Sequence, residues 1–440
     1  MNRVSQSGFT MDTNEDWLRL DREFVIQSGG VRPTPVLVEG SGCKVRDVEG
    51  NEFLDFTSGQ MCAALGHSHP KIVQAIREQS GRLMHTNSFF TTVPAIELAR
   101  ELAKIMPRGL RKSIILNTGA ESVEVAYRIA KLHTGKWEIA ALTKSFHGST
   151  AGAVSTTFTF GRKGFGPTMP GVFAFPTPYC YRCPAGLEYP DCDFGCLRFG
   201  EEMIRASTTG SLAAFIAEPI LSAGGVIVPP EDYFVQVKKL CDELGMLLIL
   251  DEAQTGYGRL GKMFGCETFN VVPEIMATSK SLGAGAPVAA TTTTDAIARD
   301  IEAKGFLHIT SHLSDPLPSA VALASVRAVQ EEHLPERAAK MGEYLSKSLI
   351  ELSEDFKLVG EVRGKGLLIG VELVRDRRTK EPADDEGARL VDLCMDKGLI
   401  IGIVRGKGMS SVLRIAPPLV VMSEEIDKAV EIIRSSLKEL

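Results

Sequence analysis

Positions 246–251 read MLLILD, five apolar residues closed by a carboxylate, and no other stretch limits the fold as much. A short unbroken apolar run is buried on both faces, as a parallel strand covered by helices is, rather than on alternate residues. Asp251 then stands at the C-terminal edge of the strand, where open α/β sheets place their ligands. Twenty-nine positions later Lys280 lies in SKSLGAG, a small-residue loop in which backbone can approach a ligand closely. Taken singly, Asp251 reads as a salt-bridged strand end and Lys280 as a solvated surface amine. Their neighbours change that reading.

Further strands are expected at 113–116, 139–142, 213–217 and 288–294, separated by stretches of helical periodicity. Such alternation over about 250 residues indicates an α/β chain with a largely parallel sheet covered on both faces. The first of these strands runs into Thr118-Gly119-Ala120 and a helix, and the free N–H groups and dipole of a helix start favour an anion there. The second leads to SFHGS at 145–149, the third to Glu218-Pro219. Before them, helix is expected at 15–28, a small antiparallel meander at 36–56, and helices at 71–83 and 94–104. His67 and His69 are two apart with no further ligand nearby, and read as turn and helix-start residues. After residue 335 the pattern becomes helix, strand (367–374), helix (386–397), strand (412–415) and a last helix capped by Ser423. Arg414 sits inside that apolar strand, which requires a partner: Glu218, or a substrate carboxylate matched to its planar fork.

The 440 residues carry a net charge of −6, which gives no electrostatic footprint for nucleic acid or an anionic membrane surface. No apolar run reaches membrane-spanning or signal-peptide length, so a cytoplasmic protein acting on small molecules is expected. Cys180, Cys183, Cys192 and Cys196 form C-x2-C-x8-C-x3-C in a Pro- and Tyr-rich loop, where thiol packing and a structural zinc are both open.

A lysine imine and a carboxylate facing a pyridinium nitrogen are the two fixtures that pyridoxal 5'-phosphate (PLP) requires. The stretch LDEAQTG at 250–256, followed by Ser279-Lys280 and a Gly-rich turn, resembles the class III, fold type I, PLP-dependent aminotransferases. That resemblance implies a large domain with a mostly parallel seven-stranded sheet and a smaller α+β domain. It divides the chain into an N-terminal segment at 1–65 packing with the small domain, a large domain at 66–330 and a small domain at 331–440. It makes Lys280 the Schiff-base lysine and proton shuttle, Asp251 the partner of the ring nitrogen and Gln254 that of the phenolate oxygen. Thr118, Gly119 and Ala120 hold the phosphate, Phe146 stacks on the ring, and Glu218 lies at the ligand edge. Ser311 touches the phosphate of a second subunit, so a homodimer at least, or a dimer of dimers, is implied.

Within the family the chain is similar to 2,2-dialkylglycine decarboxylase along nearly its whole length except the cysteine loop. Gln60, in FTSGQM, is the residue that points there: a carboxamide binding a carboxylate held perpendicular to the ring directs loss of CO2, while Arg414 holds a carboxylate in the ring plane. The implied activity is decarboxylation of a 2,2-dialkylglycine to a ketone, then amino transfer to pyruvate; the alternative is a non-decarboxylating ω-aminotransferase of the 4-aminobutyrate or ornithine type. Phe146, Ser149 and Ala223 depart from the decarboxylase pattern and put decarboxylation in doubt. The resemblance also implies an alkali-metal ion, K+ or Na+, on the side chains of Ser88 and Asp315 and the carbonyls of Thr86, Ser311 and Leu313.

Overall fold

The computed structural model describes residues 12–29, 33–160, 162–404 and 411–440. Its centre is a seven-stranded sheet in the order Leu110–Leu116, Ala289–Thr294, Ile275–Thr278, Leu247–Asp251, Leu212–Ala217, Glu138–Leu142, Val172–Phe175. Neighbours from Ile275–Thr278 onward are parallel, and Ala289–Thr294 alone runs against both of its neighbours. The apolar runs explain this burial. Leu248 and Leu250 enter one hydrophobic cluster and Ile249 the other, as Phe215 and Ala217 separate from Ala214 and Ile216. Alternate side chains thus serve both faces of one sheet, so neither face can be polar.

The helix Gly119–Thr134 covers one face, starting from Thr118, whose hydroxyl accepts the Glu121 N–H at 3.2 Å, and stopping at the left-handed Gly135. Tyr233–Leu244 supplies large side chains to the other cluster. Two smaller sheets flank this body. The meander Leu37–Ser41, Lys44–Asp47, Glu52–Asp55 is extended by Leu399–Ile400, which runs parallel to Glu52–Asp55. The other small sheet has the path Val359–Lys365, Leu368–Asp376, Val412–Ile415, Gly402–Ile403. Arg414 is flanked there by Gly370 and Gly402, so no neighbouring side chain crowds the guanidinium stem.

Three expectations change. The first helix is Asn14–Phe24 and ends where β-branched Val25 turns extended. Strand Val359–Lys365 was not expected, because its glycines and charges hide the alternation. Ser423 is the first residue of the last helix, not its cap; the Glu425 carboxylate accepts the Met422 N–H at 2.9 Å and closes that end.

The cysteine loop is docked onto the small sheet by charge. Buried Glu372 accepts hydrogen bonds from Tyr179 Oη and Arg182 Nε, and pairs with Arg363 Nη1 at 2.5 Å. Arg363 also donates from Nε to the Val226 carbonyl at 3.0 Å. Burial alone would raise the Glu372 carboxyl, but the Arg363 charge and these hydrogen bonds hold it below the usual range.

Candidate active site

Asp251 ends its strand inside the protein with both oxygens engaged. Oδ2 faces His147 Nδ1 at 2.8 Å and Oδ1 accepts the Ala253 N–H at 3.1 Å. His147 is buried and its Nε2 has no partner among the described residues. A carboxylate accepting from Nδ1–H fixes the tautomer of the His147 ring. Sequence reasoning passed over His147, although it stands beside Phe146.

A cavity of about 130 Å³ opens above Asp251, bounded by Gly119, Ala120, Phe146, Glu218, Gln254 and Lys280 among others. Two wider surface grooves, of about 740 and 990 Å³, lie elsewhere, and all their charged residues are exposed or half-exposed. At one wall Thr118 Oγ1 takes the Glu121 N–H, while those of Gly119 and Ala120, in the first turn, have no intrahelical acceptor. Gly148, at φ +131°, lets its loop press on this turn: a Cβ there would come 2.6 Å from Ala120 Cβ.

Lys280 adopts φ +45°, an uncommon conformation for a side chain of its size. Burial holds its amine below the ordinary lysine value, with the Asp251 charge pulling the other way. Glu218 accepts the Phe146 N–H at 2.9 Å, and burial pushes its carboxyl up to about 7 despite the nearby His147. Phe146 stacks on Phe160, ring centroids 5.1 Å apart. The Gln254 carboxamide oxygen and the Ser222 hydroxyl are buried without partners.

Gln60 is exposed and, like Arg414 and Thr118, lies outside the lining of the cavity; it stands on a left-handed turn. Ser58, Gly59, Gln60 and Met61 all have positive φ, which costs roughly 1–2 kcal/mol for each non-glycine residue. Asp55 holds the turn: its carboxylate accepts the Thr57 and Gly59 N–H groups, each at 2.8 Å, and meets His67 Nε2 at 2.8 Å. Burial would raise Asp55, but His67 and Thr57 outweigh it and keep the group below the usual carboxylate range. Buried Arg259 ties the turn to the arginine strand, donating to the Pro417 carbonyl at 2.5 Å and to Ser58 Oγ at 3.3 Å. Gln60 Oε1 thereby accepts from Arg414 Nη2 at 2.9 Å.

Arg414 therefore has Gln60, not Glu218, as its hydrogen-bond partner, and no Arg414–Glu218 ion pair forms within 4 Å among the described residues. Glu218 is already occupied by backbone N–H groups. Ser149 and Ser311 are exposed and Ala223 is buried, all three outside the lining of the cavity. At the position expected for an alkali-metal ion, Asp315 Oδ1 faces His85 Nδ1 at 2.7 Å and Oδ2 faces His312 Nδ1 at 2.6 Å. The four loop cysteines are all free, and among the described residues only His85, His312 and Asp315 group at metal-ligand spacing.

A doubly covered α/β sheet with a buried strand-end carboxylate, a desolvated lysine and a helix-start anion cradle defines a PLP-dependent enzyme of fold type I. Residues 26–437 match the family described as Aminotransferase class-III, and the chain belongs to that family. It is 42% identical over 422 residues to an uncharacterized aminotransferase of Schizosaccharomyces pombe, covering 96% of this chain and 94% of that one. It is 37% identical over 412 residues to a leucine/methionine racemase of Thermococcus litoralis, covering 92% and 91%. Among solved structures, a Bacillus anthracis aminotransferase superposes with a TM-score of 0.92 at 32% identity, covering 97% and 98%. An (S)-enantioselective omega-transaminase from Thermomicrobium roseum does so at 0.90 and 33%, covering 97% and 99%. No helix of the described residues is long and apolar enough to cross a membrane.

The residues present fit PLP. The unpartnered Gln254 oxygen and His147 Nε2, the free first-turn N–H groups and the anionic Asp251 are polar atoms that a bound ring and phosphate would satisfy.

Proposed function

We propose that the protein moves an amino group from an ω-amino acid or amine to a 2-keto acid without breaking a carbon–carbon bond. PLP when bound supplies an electron sink that stabilises negative charge on the substrate carbon. Asp251, hydrogen-bonded by His147, would face the ring nitrogen, Gln254 the phenolate oxygen and Phe146 one face of the ring. Thr118, Gly119 and Ala120 would bind the phosphate. Lys280 would attach the cofactor in the resting enzyme and, once displaced by the substrate amine, its lowered basicity would suit Nζ to take a proton from the substrate carbon and return it.

The observation that carries this reading is the Arg414–Gln60 hydrogen bond. Guanidinium and carboxamide are joined into one grip, so both act on the same substrate carboxylate. Arg414 would bind the carboxylate of the 2-keto acid acceptor, and an ω-amino donor or simple amine carries no carboxylate on its reacting carbon, so neither half of the exchange would call for carbon–carbon cleavage. The solved omega-transaminase of like fold supports the same chemistry. Decarboxylating transamination of a 2,2-dialkylglycine, followed by transfer to pyruvate, is the second reading. It is favoured by Gln60 itself, whose Nε2 has no partner among the described residues and can donate to a second carboxylate position.

The working unit is proposed to be a homodimer. Phe89 and Phe90 are 77% and 71% exposed, and Val93, Ile96, Leu307 and Ile309 are more than half exposed on segments on either side of the His85–Asp315 contact. A second copy covering this apolar surface would bring Ser311 toward its partner's phosphate site.

The test is incubation with pyruvate and, in turn, 4-aminobutyrate, ornithine, a simple amine and 2-aminoisobutyrate, measuring alanine, CO2 and acetone. Alanine formed from an ω-amino donor without CO2 is expected. Stoichiometric CO2 and acetone from 2-aminoisobutyrate would overturn it for the second reading. Loss of optical activity from an L-amino acid without amino transfer would overturn both. Lys280→Ala should abolish activity together with the near-visible absorbance of the bound cofactor.

A further inference from the structure

We infer that His85, His312 and Asp315 form a binding site for a divalent d-block cation of the zinc class, held by two imidazole nitrogens and a carboxylate. His85 lies in the loop between the helices Pro70–Ser80 and Val93–Ile105, while His312 and Asp315 immediately precede the helix Pro316–Glu331. Only folding brings them together.

The anchor is rigid. Asp315 is 4% exposed, and its carbonyl accepts the Ser319 N–H at 3.1 Å as the helix begins. The segment before it is pinned by Ser314 N–H donating to the Ile115 carbonyl at 3.1 Å, near the end of the edge strand Leu110–Leu116 of the seven-stranded sheet. On this fixed carboxylate the imidazoles converge through the same atom, Nδ1 of His85 at 2.7 Å and Nδ1 of His312 at 2.6 Å, their ring centroids 5.0 Å apart. The three ligand atoms lie within 4.8 Å of one another. Zinc with ligands at about 2.0–2.2 Å in tetrahedral array needs them about 3.3 Å apart. The rings must therefore open by about half an ångström or slightly more from these contacts. In the single chain the side chains of His85 and His312 are 50% and 64% exposed while that of Asp315 is 4%, so the rings and not the carboxylate make the adjustment.

The chemistry of binding is an exchange. In each imidazole the proton now shared between Nδ1 and Asp315 moves to Nε2, so that Nδ1 turns its lone pair to the cation, which takes the place of both N–H groups beside the carboxylate, with water in the fourth position. Two nitrogen donors select zinc, nickel or cobalt over hard alkali ions. This separates the site from the oxygen-only ligand set implied by resemblance, with which it shares only Asp315 among its ligands. An ion here would also clamp the backbone that follows Ser311 to the loop carrying His85.

The experiment uses the chelator-treated holoenzyme, titrated calorimetrically with zinc chloride in buffers of different ionisation enthalpy, with bound metal counted after desalting. One zinc per chain is expected. His312→Ala and His85→Ala should each weaken it by more than the roughly 10–100-fold that partners outside the ligand set are worth, while Cys183→Ser keeps it. The proposal is overturned if the His variants retain the full zinc equivalent, if Cys183→Ser alone removes it, or if the holoenzyme binds K+ there and no zinc. Circular dichroism of each variant, matched to the parent, distinguishes loss of a ligand from loss of fold.

Discussion

Arg414 and Gln60 are 354 residues apart in sequence and 2.9 Å apart in space, the guanidinium Nη2 donating to the carboxamide oxygen. Each is held by its own device, Arg414 between two strand glycines and Gln60 on a strained turn. The pair joins the turn that follows the N-terminal meander to the strand Val412–Ile415 of a different sheet.

Gln60→Ala should lower kcat/KM for carboxylate-bearing substrates about 10–100-fold, the worth of a hydrogen bond to a charged group, and leave simple amines nearly unaffected. Steady-state kinetics on one substrate of each kind checks this. Equal losses on both would mean that Gln60 acts on the cofactor side instead.

Asp55→Asn removes the charge that organises the left-handed turn. Its folded-state acidity is raised, so its contribution is present above the ordinary carboxylate range and fades as pH falls through the depressed folded value. Urea unfolding at neutral pH should show a loss of about 1–3 kcal/mol, and the variant should be less sensitive than the parent to acid below pH about 4.

Glu218 has the opposite sign. Its carboxyl is pushed up from 4.5 to about 7, so the folded cofactor-free chain binds that proton more tightly than the unfolded chain between those values. Stability of the cofactor-free protein should therefore fall as pH rises across this window, on the order of 1 kcal/mol per unit. Denaturation series on the parent and Glu218→Gln decide it: the variant's profile should be flatter, and parallel profiles would refute the assignment.

Gly148→Ala places a methyl 2.6 Å from Ala120 Cβ in a backbone conformation unsuited to alanine. The phosphate-facing helix start must yield. Cofactor affinity, measured by adding PLP to the stripped protein, should drop about tenfold or more, while Gly135→Ala at the far end of the same helix leaves it unchanged.

The sheet was legible because its strands are short apolar runs, and one such run put Asp251 at a strand end. Taken singly, Asp251 and Lys280 read as ordinary surface charges, and only the resemblance of LDEAQTG and Ser279-Lys280 to a known family gave them roles. What stayed hidden has no local pattern. His147 looks like any residue beside a glycine until the chain folds its ring onto Asp251. His85 and Asp315 are separated by 230 positions and share no periodicity. The turn at Ser58–Met61 departs from what those residues prefer, and only the Asp55 carboxylate and Arg259 explain why it persists. Arg414 was legible as a buried cation needing a partner, but its choice of Gln60 over Glu218 depended on backbone N–H groups reaching Glu218 first.

Leu399–Ile400 lies parallel to Glu52–Asp55, so the meander that delivers Gln60 gains its fourth strand from nearly 350 positions downstream. During synthesis on a ribosome the cofactor platform can therefore assemble well before the substrate grip exists. A nascent chain stalled before residue 399 would take up PLP and still lack a place to seat a substrate acid group.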